Sequence, residues 1–306
     1  MTKDKPRFGL VGTGVWARML HAPMAAKSDE IAFTSIYGRN KLAAGELAGA
    51  HQLEAFADFE KFLDSVDIVA FSLTPDAQPH FALAAADAGK HLLLEKPVAT
   101  DPAVADEIAD RLERNNLASI VFFTSIFVPR VRQWVDDATA TGGWISGRVE
   151  SFVRALNDPT NPFYGTDWRR SAGALWDVAP HSVAMLCLTL GKVRHVSATR
   201  GQGLLVVLTL THESGAISQV SATLDAPAAL PGSTVLFGSA GANTLPPSQD
   251  FFGEANDAYL NAISALVGAA KGSSAENRLD ARFGSHVTAV LAAAERSIDT
   301  GQRISL

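Results

Sequence analysis

The first 120 residues alternate between short, β-rich apolar runs and stretches rich in Ala, Lys and Glu that have a helical composition. Strands that alternate with helical segments form βαβ units, in which helices cover both faces of a parallel sheet. Ligands of such sheets bind beyond the carboxyl ends of the strands. We therefore predict a doubly wound parallel sheet of the α/β class, with a ligand site at those strand ends. The runs that we assign to strands are RFGLVG (7–12), IAFTSIY (31–37), DIVAFSL (67–73), HLLLE (91–95) and ASIVFFT (118–124).

The composition is that of an ordinary globular chain. With 306 residues, 47% of them hydrophobic, the chain can bury enough apolar surface for two domains. The formal net charge of −6 offers no basic surface for nucleic acid or for an anionic membrane. No run reaches the ~18 apolar residues that a membrane-spanning helix needs. We expect neither nucleic acid nor a membrane as a partner.

Two further features bear on the cellular setting. Cys187 is the one cysteine and lies in the apolar run VAMLCLTL. We expect a buried thiol, no internal disulfide and a cytoplasmic setting, with a reactive thiol as the alternative. The start, MTKDKPRFGLVGTGVWARML, has a basic and then an apolar part, but glycines and Arg18 interrupt it and no convincing small-residue cleavage site follows. We therefore expect no cleavable leader.

The first predicted strand runs directly into Gly12-Thr13-Gly14-Val15-Trp16-Ala17, which has the spacing G-x-G-x-x-A. In a dinucleotide-binding (Rossmann) domain, Gly12 would allow the tight turn and Gly14 would let the backbone approach a pyrophosphate. The small Ala17 would permit close packing of helix on strand. The amino terminus of the helix then presents N–H groups and a partial positive charge to the anion. A glycine pair alone often serves only a turn, but its place in the first βαβ unit favours a dinucleotide site.

The end of the second predicted strand bears on which dinucleotide binds. An NAD site usually has an acidic residue there, which accepts a hydrogen bond from the ribose 2′-hydroxyl. This chain has Tyr37-Gly38-Arg39-Asn40, without a carboxylate. The planar guanidinium of Arg39 can pair with a 2′-phosphate, although a solvated loop charge is the alternative. We predict NADP as the preferred cofactor, with NAD possible.

The fourth predicted strand delivers Glu95, Lys96 and Pro97 at its carboxyl end, in the stretch LLLEKPVA (92–99). The simple interpretation is that the charges mark where the strand emerges into water. Their position at the edge of a ligand-binding sheet favours a functional role instead. The residue before a proline is biased toward extended backbone, and the X-Pro bond admits the cis form readily, so either device can fix the direction of the lysine.

These motifs together resemble the Gfo/Idh/MocA family of oxidoreductases, named after glucose-fructose oxidoreductase and inositol dehydrogenase. The resemblance covers nearly the whole chain. It implies a nucleotide-binding domain, which we place at 1–122, and a C-terminal α+β domain at 123–306 built on an open, mainly antiparallel sheet. It also implies a homo-oligomer, a dimer or tetramer, that forms through this sheet. The residues that carry it are the glycine motif, Thr74-Pro75 followed by His80, AGKHLLLEKPVA (88–99), WRRSAGALWDVAPH (168–181) and AAERSIDTGQRISL (293–306).

The resemblance implies roles for these residues. Lys96 would hydrogen-bond a substrate oxygen beside the nicotinamide and stabilise negative charge that develops during hydride transfer, with Glu95 ordering the site. Thr74, Pro75, His80, Glu95, Lys96 and Arg169 join the glycine motif and Arg39 as expected cofactor contacts. Trp168 is expected at the substrate pocket, with aromatic packing at a domain seam as the alternative.

The segment Asp177-Val-Ala-Pro-His181 is a second candidate site. If a helix starts here, Pro180 lies in its first turn and Asp177 is a natural N-cap. Histidine can carry the proton of a hydroxyl, and a carboxylate can orient it. The resemblance implies that His181 is the general acid/base and that Asp177 is its partner or a substrate ligand; a satisfied boundary histidine is the alternative for His181. The site requires Lys96 and His181 to meet at one reactive carbon.

Several positions depart from the family pattern, and they leave the substrate open. Ala179 and Ala184 replace a glycine and an aspartate around His181, Asp76 replaces an asparagine, and an arginine is missing near Ile126, although Arg130 is close in sequence. The pattern predicts an alcohol–carbonyl oxidoreductase acting on a sugar, polyol or related small molecule, and we assign no metal site. A non-sugar substrate such as a cyclic diol is one alternative. A non-catalytic NADP-binding regulator is the other.

After residue 120 strands group together instead of alternating with helices, which indicates an antiparallel sheet packed against helices. We predict helices over 127–141, 174–190, 254–270 and 281–300, strands within 193–238, and a hairpin connection at 214–219. Loops are predicted at 157–164, 227–233 and 243–249.

Overall fold

The computed structural model describes residues 5–228, 230, 232–239, 241–248, 250–273 and 278–306. Contacts between residues divide the chain into two compact units. The first unit contains the residues up to Phe127 together with Ala255–Ser285, and the second contains Val128–Glu254 and His286–Leu306.

The first unit is built on a six-stranded sheet in the order β3-β2-β1-β4-β5-β6, with every neighbouring pair parallel. The five predicted strands are confirmed. The sixth, β3, escaped prediction because it is only three residues long, lies at the sheet edge and is largely exposed. The strands are β1 (Arg7–Val11), β2 (Ala32–Tyr37), β3 (Glu54–Phe56), β4 (Ile68–Phe71), β5 (His91–Glu95) and β6 (Ser119–Phe122).

Helices connect these strands, and local sequence fixes where several of them begin. Asn40, Asp58 and Asp101 cap the amino ends of three helices by accepting bonds from backbone N–H groups of the first turn. The all-buried strands β4 and β6 match a parallel sheet that is covered on both faces. The helices are α1 (Ala22–Lys27, preceded by a π-helical turn, Ala17–His21), α2 (Lys41–His51), α3 (Phe59–Asp64), α4 (Gln78–Asp87), α5 (Pro102–Arg114) and α6 (Thr124–Phe127).

The chain returns to the first unit near its carboxyl end. Arg282 forms ion pairs with three carboxylates of α5, those of Asp106, Asp110 and Glu113. A Cβ on Gly284 would lie 2.6 Å from a methyl of Val98, so only glycine allows this close approach. Two long helices of this region, α10 (Phe251–Ala270) and α11 (Ala281–Thr300), each contribute residues to both units.

The second unit contains a seven-stranded sheet in the order β12-β11-β7-β10-β9-β8-β13. The described strand pairs are antiparallel except for β7 with β10, which is parallel, so the prediction of a mainly antiparallel sheet is confirmed. The elements are α7 (Pro129–Thr141), β7 (Trp144–Phe152), α8 (Asp167–Asp177), α9 (Ala179–Leu190), β8 (Val193–Arg200), β9 (Val206–His212), β10 (Ile217–Thr223), β11 (Ser233–Gly238), β12 (Gly241–Leu245) and β13 (Ile304–Ser305).

The two faces of this sheet differ in how far they are covered. On the covered face, Gly147 lies so close to α9 that a Cβ there would come within 2.8 Å of Leu186. On the other face, Ser146 pairs with both Phe237 and Ile217, which are 40% and 50% exposed. A shift of the strand pairing by one residue would move every side chain of a strand to the opposite face, so the observed pairing determines which side chains are covered.

Five expectations for this half of the chain need correction. The hairpin connection predicted at 214–219 is shorter, because its last three residues belong to β10. The strand β7 was not predicted, and the predicted loops at 227–233 and 243–249 contain the first residue of β11 and the last three of β12. Residues 229, 231 and 249 of those loops lie outside the described residues. Residues 1–4, which belong to the segment for which we expect no cleavable leader, lie outside them as well. The helix predicted over 174–190 is two helices, which are separated at Val178.

The stretch Asp167–Leu190 is long and apolar enough to cross a membrane by length and composition, and it is the one such stretch among the described residues. Its 18-residue window is 78% buried inside the protein, and Gly173, with φ +68°, interrupts the helix. Burial of this kind is typical of a core helix.

Candidate functional site

The glycine motif forms a tight turn between β1 and the helical segment that follows. Gly12 has φ +123°, and a Cβ there would collide with the carbonyl oxygen of Ser72, so only glycine fits. A Cβ on Gly14 would meet nothing within 4 Å, which leaves the backbone open to an approaching group. Ala17 is fully buried, as close packing of helix on strand requires. The turn therefore has the shape that a dinucleotide pyrophosphate needs.

A π-helical turn, Ala17–His21, follows this loop and is closed by a bond from Ala22 N–H to the carbonyl of Ala17. In a π-helix the hydrogen bonds join residues five apart, so such residues lie on nearly the same face. Trp16 and His21 are five apart. Trp16 Nε1 donates to Glu95 Oε1 at 3.1 Å, and His21 Nε2 lies 2.9 Å from the same oxygen.

The end of β5 is held through its backbone as well. The side-chain amide of Gln78 accepts from Glu95 N–H at 2.8 Å and donates to the carbonyls of Glu95 and Val98 at 2.9 and 3.1 Å. Lys96 N–H donates to Glu95 Oε2 at 3.1 Å, and the Lys96–Pro97 peptide bond is cis. Lys96 is half-buried and follows Glu95, whose carboxylate is held by these bonds.

Residues near this turn differ in their exposure. Thr74 is half-buried, and its carbonyl accepts the N–H groups of Ala77 and Gln78; Pro75 is buried. His80 is exposed on α4. Gln78 is buried at the start of α4 and was missed in the sequence, because nothing in its neighbours distinguishes a buried glutamine from a solvated one.

Arg39 lies exposed after the end of β2. Within the described ranges it takes part in no hydrogen bond or ion pair, whereas nearby Arg18 is bound to Thr13 and Glu46. Asn40 is occupied as the cap of α2. The guanidinium of Arg39 is therefore available to a ligand at the end of β2.

In the second unit, Arg169 holds the carboxylate of Asp177. Its Nε donates to Asp177 Oδ2 at 2.9 Å, and its guanidinium carbon lies 4.3 Å from the ring centre of Phe163 and 4.5 Å from that of Trp168. Nη1 donates to Thr166 Oγ1 at 3.3 Å. Asp177 is only 8% exposed, so this pairing compensates a buried charge.

The alternative interpretation of Asp177 as the N-cap of a helix is wrong. Asp177 is the last residue of α8, and the cap position of α9 is occupied by Val178, which makes no side-chain capping bond. The physical reason is the ion pair, because Arg169 draws the carboxylate back toward the preceding helix. Pro180 does lie in the first turn of α9, as predicted. His181 follows it, half-buried.

The predicted site residues are thus distributed over both units. The first unit contains the glycine motif, Arg39, Glu95 and Lys96, and it brings Trp16 and Glu95 into contact. The second contains Trp168, Arg169, Asp177 and His181, and it brings the first three together. His21 was missed in the sequence, where it appears as a lone histidine in an otherwise apolar stretch, HAPMAA.

Comparison with known proteins identifies relatives along the chain. A D-xylose 1-dehydrogenase (NADP(+)) of Haloferax volcanii is 25% identical over 230 residues, covering 72% of this chain and 70% of the relative. Levoglucosan dehydrogenase of Pseudarthrobacter phenanthrenivorans is 28% identical over 152 residues, covering 46% of this chain and 38% of the relative. The matched segments span 38% to 63% of the length of three curated relatives.

Solved structures share the fold. The WlbA dehydrogenase from Bordetella pertussis, in complex with NADH and UDP-GlcNAcA, superimposes with a TM-score of 0.83 at 23% identity, covering 100% of this chain and 99% of that chain. Residues 6–123 match the family model described as "Oxidoreductase family, NAD-binding Rossmann fold", and residues 130–243 match the Gfo/Idh/MocA C-terminal domain. The two matches together cover more than half of the chain, and the protein is a member of the Gfo/Idh/MocA family of oxidoreductases.

Proposed function

We propose that the protein is an NAD(P)-dependent oxidoreductase that interconverts an alcohol and a carbonyl on a sugar, polyol or related small molecule. The observation that carries the proposal is the contact between Trp16 of the glycine loop and Glu95, next to Lys96. This contact places the turn shaped for a pyrophosphate beside an ammonium-bearing residue, at the carboxyl edge of one parallel sheet. Relatives that are sugar dehydrogenases support the substrate class.

The residues of the glycine loop fit the dinucleotide. Gly12 through Ala17 would hold the pyrophosphate, with Thr74 and Pro75 beyond β4 as further contacts. The bound nicotinamide supplies the hydride acceptor or donor of the reaction. Its placement fixes where a substrate carbon must lie.

Lys96 then binds the substrate oxygen. An ammonium donates hydrogen bonds and stabilises negative charge that develops on an oxygen, in a site that needs no reorganisation at the moment of reaction. The Glu95 carboxylate accepts from the N–H of Lys96, and the Gln78 amide binds the backbone on either side of it, at Glu95 and Val98, so the direction of the side chain is restricted at its base.

His181 is proposed to move the proton of the hydroxyl group. A histidine titrates near neutral pH and can take or return that proton as the oxidation state of the carbon changes. Asp177, anchored by Arg169, presents a fixed negative charge four residues earlier. Trp168 lies against Arg169 and is proposed to line the substrate pocket.

We propose NADP as the preferred cofactor. The end of β2 lacks a carboxylate, and Arg39 is exposed there with its donors available to a 2′-phosphate. The D-xylose dehydrogenase relative is named for NADP(+), whereas the WlbA complex contains NADH. The argument for NADP therefore depends on Arg39 and is tested in kinetic comparisons of the two cofactors.

The open face of the second unit's sheet is proposed to pair subunits of a homo-oligomer. Ile217 and Phe237 are large apolar side chains exposed on neighbouring positions of this face, where a second copy would cover them. A cytoplasmic location is proposed as well, in keeping with a lone buried cysteine.

The decisive experiment is a turnover screen. The purified protein is incubated with NADP or NAD and a panel of sugars, polyols and cyclic diols, and the absorbance of the reduced nicotinamide is followed. Turnover of sugars or polyols supports the proposal, and turnover confined to the diols contradicts its substrate class. Dinucleotide binding without turnover of any compound would indicate a regulator instead.

A further inference from the structure

We infer that His21 is a positioning residue. By holding the carboxylate of Glu95, it fixes the glycine loop and the segment Glu95-Lys96-Pro97 in one relative geometry. The inference rests on the proposed function and concerns a residue that would touch neither cofactor nor substrate. All the groups involved belong to the first unit.

The Glu95 carboxylate joins three parts of that unit. Oε1 accepts from Trp16 in the glycine motif and contacts His21 in the π-helical turn, while Oε2 accepts from the N–H of Lys96. Rotation of this carboxylate would break the bonds to Trp16 and Lys96 together. The geometry of the cofactor loop and that of the lysine are therefore coupled through one side chain.

His21 is the buried member of this set that fixes the carboxylate. Its side chain is 0% exposed and that of Glu95 is 8% exposed. A carboxylate buried this far needs hydrogen-bond donors to offset the loss of water. Since a carboxylate can only accept, the proton of the 2.9 Å contact is on Nε2 of His21.

Aromatic rings hold the imidazole in place. The ring of Tyr259 lies 4.5 Å from it and that of Phe122 lies 6.0 Å away, centre to centre. Burial raises the pKa of Tyr259 well above its ordinary value, so its hydroxyl stays protonated and can donate. In the described part of the chain neither this hydroxyl nor Nδ1 of His21 has a hydrogen-bond partner, and the two are complementary as donor and acceptor.

The π-helical turn supports a positioning role. In an α-helix, residues five apart point about 140° away from each other, which disfavours a shared contact of Trp16 and His21 with one oxygen. The turn brings them to the same face at the cost of regular helix geometry. Such irregular turns occur frequently at functional sites, which fits their position here beside the glycine motif.

The test compares two amides at the same position. Glutamine places its N–H group about where Nε2 lies, and asparagine places it about where Nδ1 lies. We expect His21→Asn to raise the dinucleotide dissociation constant about tenfold and to lower kcat about tenfold, as for loss of one bond to a charged group, and His21→Gln to restore both. Dissociation constants are measured without substrate, from the fluorescence of the bound reduced nicotinamide.

A matched control separates positioning from simple destabilisation. His91 lies at the other end of β5, where Nδ1 accepts from Ala118 N–H at 2.9 Å. His91→Gln removes the nitrogen that makes this contact, as His21→Asn does for Nε2, and should lower the melting temperature while leaving the dissociation constant and kcat unchanged. If His21→Asn does not fold, His21→Met takes its place, because methionine matches glutamine in length and has no N–H donor.

The outcomes are distinguishable. Equal dissociation constants and equal kcat for the Gln and Asn (or Met) variants of His21 would overturn the inference, as would equal effects of His21→Asn and His91→Gln on these two quantities. Wild-type protein that binds dinucleotide but turns over no substrate contradicts the proposed function, and the dissociation constants still decide the role of His21.

Discussion

Arg169 donates from Nε to the carboxylate of Asp177 at 2.9 Å. The two side chains are 14% and 10% exposed, so the pair lies mostly out of water, where a lost partner is costly. Asp177 is therefore a fixed charge whose position depends on a residue eight positions earlier.

Replacing Arg169 by lysine should lower kcat about tenfold. Lysine lacks the planar guanidinium, which binds Asp177 and Thr166 and also lies close to two aromatic rings. Steady-state kinetics with saturating dinucleotide measure the effect. Arg170→Lys is the control, because Arg170 is exposed and its Nη2 binds only the carbonyl of Tyr164 among the hydrogen bonds of the described residues. An unchanged kcat in Arg169→Lys would contradict a positioning role for this arginine.

Lys96→Ala should keep dinucleotide binding and lower kcat about 10²-fold or more, because it removes the group that we propose stabilises charge on the substrate oxygen. Binding titration and turnover, measured on one preparation, separate the two effects. The control is Lys90→Ala. Lys90 lies just before the amino end of β5, and its ammonium donates to the carbonyl of Val66. Full turnover in Lys96→Ala would remove this lysine from the reaction.

Arg39→Asp should reverse the cofactor preference. The carboxylate would repel a 2′-phosphate and accept a bond from a 2′-hydroxyl, so kcat/KM should fall about tenfold or more for NADP and rise for NAD. The ratio of the two values within one variant serves as the internal control. A ratio equal to that of the wild type would show that Arg39 does not contact the ribose.

Acid should destabilise the second unit through His212 and His286. Burial lowers the pKa of both imidazoles, so the folded state disfavours their charged form. Their contribution to stability is complete above the ordinary pKa of about 6.5 and is lost as the pH falls from there toward the folded pKa, by at most about 1.4 kcal/mol per pH unit for each group.

Urea unfolding at pH 7.5 and 5.5 measures this loss. His212 is fully buried, with Nδ1 2.6 Å from the carbonyl of Gly191 and Nε2 2.8 Å from Ser218 Oγ. His212→Gln should be less stable at pH 7.5 and should show a smaller decrease at pH 5.5, whereas the exposed His80→Gln should behave as wild type. An unchanged pH dependence in His212→Gln would assign the acid sensitivity elsewhere.

Ile217→Lys should shift the protein toward smaller assemblies, since a charge on the open sheet face opposes its burial against a second copy. Sedimentation measures the mass at several concentrations. Leu42→Lys is the control, because Leu42 is 74% exposed on α2 of the first unit. Equal masses for the Ile217 variant and the wild type would place the subunit contact on another surface.

The parallel sheet could be predicted because its strands are apolar runs between helical segments, and each run became a buried strand. The elements that the sequence did not predict are strands that depend on pairing with other strands for their stability. The strand β7 reads WISGRVESF, with polar residues throughout, and it forms because strands β10 and β11 pair with both of its edges. A three-residue edge strand such as β3 has too few residues to show a pattern.

The candidate site follows the same division. The glycine turn and Glu95-Lys96-Pro97 are local motifs that sequence alone can place. The roles of His21 and Gln78 depend on contacts with Glu95, 74 and 17 residues away, which no local pattern encodes. The capping interpretation of Asp177 failed because the carboxylate pairs with Arg169 rather than with the adjoining N–H groups.

The order of strands in the first unit has a practical consequence for engineering. The central strands β1 and β4 separate β2, which precedes Arg39, from β5, which precedes Lys96. Under the roles proposed for these two residues, a substitution at the end of β2 would change the cofactor preference without altering the end of β5. The proposed roles thus make cofactor preference and substrate choice separable targets for substitution.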